Sequence, residues 1–79
     1  MKATILVRPK QGILDPQGAA VEHALEQLGF AVSDARVGKV VDLEVDAADE
    51  AQARAQVEQM CTKLLANPLM ESFEIELHG

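Results

Sequence analysis

The sequence has no tryptophan and no tyrosine, and two phenylalanines are its only aromatic residues. Thirteen acidic side chains stand against seven basic ones, for a formal net charge of −6. Nucleic-acid binders track phosphates with basic grooves and stack bases on aromatic rings, so this composition excludes that class. The single cysteine cannot close an intrachain disulfide and does not make a metal site by itself. No apolar run approaches the ~18 residues of a membrane span. The apolar start of the chain meets Arg8, Pro9 and Lys10 at once. That is too short for a signal-peptide core, and the expectation is a cytoplasmic protein.

What remains is 79 residues, 48% apolar and 25% charged, the balance of a soluble globular domain. The length allows one domain, 1–79. Ordering such a chain costs about 1.5 kcal/mol per residue, and a small aliphatic core must nearly cancel that. Self-association or a partner is therefore expected from the outset.

Along the chain, residues 2–8 alternate as a strand, with Ala3, Ile5 and Val7 on one face and Thr4, Leu6 and Arg8 on the other. Pro9 and Gly12 end it. Asp15 and Pro16 open a helix as cap and first-turn proline. Val21, Ala24, Leu25 and Leu28 then recur at helical spacing, and Gly29 is placed to stop the helix with a positive φ. Residues 32–46 admit two readings. A turn at Gly38-Lys39 would make a hairpin. A single long strand, bent or bulged near Gly38, keeps Ala35, Val37, Val41, Leu43 and Val45 on one face, with Lys39 as the one exception; the strict period of two favours it. Asp46 or Asp49 caps a second helix, whose stripe is Ala53, Val57, Met60, Cys61, Leu64 and Leu65. Asn67-Pro68 ends it, and 69–78 form a last strand with Phe73, Ile75 and Leu77 on one face. The order β-α-β(-β)-α-β predicts a two-layer α+β sandwich, ferredoxin-like or a close variant. Its sheet is antiparallel or mixed, with both helices on one face.

Candidate chemistry is sparse. Cys61 sits in an apolar stripe and reads as a small buried hydrophobe. His23 and His78 match no metal or haem spacing. Asp42, Glu44, Asp46, Glu74 and Glu76 read as a solvated sheet face rather than an acid–base pair. Phosphate at the first helix is disfavoured, because the Asp15 carboxylate already occupies its N-terminus. Arg8, Lys10, Arg36 and Lys39 hold four of the seven basic charges and form a candidate docking patch. Leu6 and Val40 face outward and are the candidates for burial between copies of the chain. No catalytic residue, bound cofactor or metal is expected.

The segment Lys10-Gln11-Gly12-Ile13-Leu14-Asp15-Pro16-Gln17-Gly18 resembles the Lys-x-x-x-Leu-Asp-Pro-Gln-Gly signature of the PurS family. This is the small subunit of phosphoribosylformylglycinamidine synthase. Arg36-Val37-Gly38-Lys39, the run from Met60 to Asn67, and Glu71-Ser72-Phe73-Glu74-Ile75-Glu76 are similar to further family segments in the same order. Position 40, often aromatic in such proteins, is Val40 here.

The resemblance implies a non-catalytic accessory role in de novo purine biosynthesis. The chain would bridge a large synthetase subunit and a glutaminase subunit and support ammonia transfer between them. The assembled enzyme, a ligase using ATP, magnesium and glutamine, converts an amide of formylglycinamide ribonucleotide to an amidine. Dimers, sometimes paired into tetramers, are implied as well. Carried over residue by residue, Lys10, Asp15, Pro16, Gln17, Gly18, Arg36, Gly38 and Lys39 become partner-interface candidates. The alternatives are a small-molecule-binding regulatory module on a ferredoxin-like scaffold and, far behind it, an acylphosphatase-like phosphohydrolase.

Overall fold

The computed structural model describes residues 1–12 and 15–78. The elements are β1 (Lys2–Pro9), α1 (Pro16–Gln27), β2 (Lys39–Glu44), α2 (Glu50–Met60) and β3 (Glu71–His78); a π-helical turn, Cys61–Leu65, continues α2. The strand order is β2-β1-β3, with β1 antiparallel to both neighbours. The β-α-β-α-β order with an antiparallel sheet bears out the predicted α+β, ferredoxin-like class.

β1 is central because its inward residues are apolar at every second position. Ala3, Ile5 and Val7 are all buried. Val41 and Leu43 of β2 lie beside them on the same face, with Phe73, Ile75 and Leu77 of β3. α2 and its π turn lay Ala53, Val57 and Cys61 onto that face, each fully buried. Four-residue spacing keeps these three in one line. Asp49 starts α2: its Oδ1 accepts the Gln52 N–H at 2.9 Å, while Gln52 Oε1 accepts the Ala48 N–H at 3.1 Å.

The predicted α2 stripe breaks at the π turn. There the Ala66 N–H donates back five residues to the Cys61 carbonyl, at 2.9 Å. The wider turn advances each residue by less than 100°. The next buried residue after Cys61 is therefore Ala66, and Leu64 stands 82% exposed.

No hairpin forms at Gly38-Lys39. Lys39 to Glu44 pair with β1 instead, and residues 30–38 belong to no strand among the described residues. The long strand is realised only from Lys39 onward. β1 ends at Pro9, which has no N–H to donate, so the ladder has nothing to continue on. Asp34 also turns the backbone with φ 57°. From Lys39 to Val45 the predicted faces hold: Val41 and Leu43 inward, Val40, Asp42 and Glu44 outward.

α1 departs from the prediction that both helices cover one face. Among the described residues only α2, its π turn and the segments beside them supply helical-layer side chains to the core. Of α1 only Gly18 is buried. The helix is pinned at its N-terminal end: a Cβ on Gly18 would overlap the Ala35 carbonyl oxygen, and Glu22 Oε1 accepts the Ala35 N–H at 3.4 Å. It therefore runs on beyond the end of the sheet. The long dimension is 50 Å, close to an eight-residue strand of about 27 Å plus a twelve-residue helix of about 18 Å placed end to end. Gly29 stops α1 as predicted, with φ 97° and the Phe30 N–H donating to the Leu25 carbonyl at 3.1 Å.

Candidate functional site

The C-terminal end of β1, the start of β2 and the start of β3 meet at one edge of the molecule, and α1 begins there. Three depressions share Pro9 at this edge, and two of them gather the candidate residues. The first, of about 410 Å³, is lined by Leu6, Arg8, Arg36, Gly38, Lys39 and Val40 among others. It joins two sets that the sequence kept apart: the docking candidates Arg36, Gly38 and Lys39, and the self-association candidates Leu6 and Val40. The latter two are cross-strand partners on the outward face. Val40 is 61% exposed and Leu6 half-buried. The second depression holds Asp15, Pro16 and Gln17 against Val37, Met70 and Glu71.

The hydrogen bonds separate supporting residues from available ones. Asp15 Oδ2 accepts the Val37 N–H at 2.9 Å, so the α1 cap also fastens the approach to β2. Its carboxyl is held below the usual carboxylate range. The Val37 N–H is the main cause; the first-turn amides of Gly18 and Gln17 add to it without completing a cap hydrogen bond, and Arg36 adds its charge. Arg36 donates from Nη1 to the Pro9 carbonyl at 3.2 Å and from Nε to Asp34 Oδ1 at 3.4 Å. Lys10 donates from Nζ to the Pro68 carbonyl at 2.7 Å. Arg8 pairs with Glu74 at 3.2 Å. A Cβ on Gly38 would overlap the Val7 carbonyl oxygen. Gly18, Gly38 and Arg36 thus shape the edge, while Lys39, Pro16 and Gln17 are exposed on it. Leu14 of the signature segment lies outside the described residues.

The sequence reading missed Pro9, Met70 and Glu71, which line the same edge. Pro9 left a signal, because it follows a basic residue at a strand end. Met70 and Glu71 left none, being brought in by the β1–β3 register. The outward sheet face holds a further chain of polar contacts: Thr4 Oγ1 donates to Asp42 Oδ1 at 2.8 Å and lies 3.2 Å from His78 Nε2.

Cys61 is free and fully buried. Burial pushes its thiol upward, with Glu58 adding to the effect, so it is a core residue rather than a nucleophile. Among the described residues no group of three or more His, Cys, Asp or Glu side chains is placed to hold a metal ion. No described helix is long and apolar enough to cross a membrane.

Fold and edge together define a small α+β domain, with Asp15, Arg36, Gly38 and Lys39 gathered where three strands and a helix converge. Residues 2–79 match the family model described as PurS, phosphoribosylformylglycinamidine (FGAM) synthase. The PurS subunit of Methanocaldococcus jannaschii is 38% identical over 77 residues, covering 96% of this chain and 93% of that one. The solved PurS structure from Bacillus subtilis superposes with a TM-score of 0.88 at 38% identity, covering 99% of this chain and 98% of that one. A chain of the structure of PurLQS from Thermotoga maritima gives 0.85 at 36% identity, with 95% and 93% covered. The chain belongs to the PurS family, the accessory subunit of the FGAM synthase ligase complex of purine biosynthesis.

Proposed function

We propose that this chain acts as the bridge within FGAM synthase, joining a large synthetase subunit to a glutaminase subunit and helping to enclose the path of ammonia between them. ATP and magnesium belong to the large subunit in this reading, and the chain itself binds no cofactor and contributes no catalytic group. It works in the cytoplasm, as a homodimer or a pair of homodimers. Ammonia transfer requires a dry, preformed passage, and a bridging subunit supplies surfaces rather than nucleophiles. The observation that carries the reading is the gathering of Asp15, Pro16, Gln17, Arg36, Gly38 and Lys39 at one edge of the sheet. Asp15, Gly18, Gly38 and Arg36 fix its shape, and Lys39 is an exposed cation on it.

Co-purification with the two partner subunits, with and without ATP and glutamine, tests it. The expected result is a ternary complex that Lys39→Glu weakens at least tenfold while leaving the fold intact. Lys39→Glu binding both partners as the wild type does would reject the edge as the docking surface.

A further inference from the structure

The chain is acidic, with a net charge of −6, yet the depression where β1 ends and β2 begins reverses that sign. Arg8, Arg36 and Lys39 line it, and among the described residues no carboxylate does. The depressions beside it differ. Asp15 and Glu71 line one, and Asp15, Glu22 and Asp34 stand around Arg36 in the other. Three cations about one concavity focus a positive field there, against the sign of the whole molecule.

These cations are held in place without being used up. Arg36 is fixed from two sides, by the Pro9 carbonyl at 3.2 Å and by Asp34 at 3.4 Å. Arg8 is held by Glu74 at 3.2 Å. A guanidinium carries five N–H donors, so each arginine keeps donors that these contacts do not occupy. Asp34 and Glu74 are themselves exposed; exposed ion pairs contribute little, and an incoming anion displaces them at little cost. Lys39 makes no ion pair among the described residues. The backbone between the cations is fixed as well: Gly38 lies against the Val7 carbonyl, and the Val37 N–H is fastened to Asp15. Donors arranged in advance lose little freedom when a ligand arrives.

The remaining wall is apolar, chiefly Leu6, Pro9 and Val40. The volume of about 410 Å³ falls in the range of about 300–1,000 Å³ usual for small-molecule sites. A carboxylate offers one charge and two oxygens to two guanidiniums and an ammonium. A phosphate monoester offers nearly two charges and three strong acceptor oxygens, and it matches the set better.

We propose that this depression binds a phosphorylated small molecule, with its phosphate on Arg8, Arg36 and Lys39 and its apolar body against Leu6 and Val40. The site goes beyond the bridging role and is tested without any partner subunit, so the failure of one leaves the other standing.

Nuclear magnetic resonance titration of the whole chain with phenyl phosphate, inorganic phosphate and benzoate at low ionic strength tests the site. Phenyl phosphate is expected to saturate, shifting the amides of Gly38, Lys39 and Val40 and leaving those of Ala53 and Val57 in place. Inorganic phosphate lacks the apolar body and benzoate lacks the second charge, and each should bind at least about fivefold more weakly. Arg8→Gln with Lys39→Gln should weaken phenyl phosphate at least about tenfold by removing two charge-assisted contacts. Lys2→Gln with Lys63→Gln removes as much charge elsewhere and should stay within about twofold of the wild type. Arg8→Lys with Lys39→Arg keeps both charges and should restore most of the binding. Shifts that never saturate or that spread over the whole chain, equal binding by the two Gln pairs, or benzoate binding as tightly as phenyl phosphate would each overturn the site.

Discussion

The carboxylate of Asp15 accepts the backbone N–H of Val37 at 2.9 Å, although 22 residues and the whole of α1 separate them. One side chain therefore closes the loop that carries α1 and sets where β2 begins.

This bond makes the edge sensitive to acid. The Asp15 carboxyl is held below its ordinary value when folded. Its contribution is therefore fully present above the unfolded pKa of about 3.9 and is lost as pH falls through the lower folded value. Urea unfolding at pH 5.5 and pH 3 should show a smaller loss of stability for Asp15→Asn than for the wild type. Equal losses would contradict the assignment.

Gly38 is pressed against the Val7 carbonyl and Gly18 against the Ala35 carbonyl. Each added methyl must displace backbone, so Gly38→Ala and Gly18→Ala are each expected to destabilise by about 1–3 kcal/mol. Gly12 has open space around it but φ 80°, so Gly12→Ala should cost about 1 kcal/mol through backbone strain alone. Denaturant midpoints compare the three.

Ile5 and Leu64 make a matched pair of aliphatic truncations. Ile5 has no exposed surface and Leu64 is 82% exposed. Ile5→Ala should cost about 2–5 kcal/mol. Leu64→Ala should leave the fold of the single chain nearly unchanged, because its side chain stands outside the core. A large loss of folding cooperativity in Leu64→Ala at high dilution would contradict its place outside the core.

Cys61 should be silent in the folded protein. Its thiol is buried and pushed upward, and the thiolate is the reactive form. An aromatic disulfide reagent at pH 8 should label the native chain only at the rate of its opening, and label it completely in denaturant. Rapid labelling of the native state would place Cys61 at a surface.

Much of this was legible in the sequence, for local reasons. The alternation of Ala3, Ile5 and Val7 marked a strand, Gly29 marked a helix end and Asp46 or Asp49 a helix start, and the faces of 39–45 followed from a period of two. The fate of residues 30–38 was not legible. Whether they pair depends on where β1 stops, and only the register against Pro9 decides that. The position of α1 was hidden in the same way. Its stripe predicts an apolar neighbour but does not say that its own sheet supplies one; the Gly18–Ala35 approach that holds it away joins residues 17 apart. At the edge, the Asp15, Arg36, Gly38 and Lys39 motifs were readable as motifs. Their division into framework and exposed contact required the hydrogen bonds.

The proposed bridging role makes the chain indispensable to FGAM synthase while it performs no chemistry itself. Reconstitution of glutamine-dependent amidine formation from purified subunits tests this directly. No glutamine hydrolysis and no ATP turnover are expected from this chain alone, little product from the synthetase and glutaminase subunits together, and full activity once the chain is added. Turnover by the isolated chain, or full activity in its absence, would contradict it.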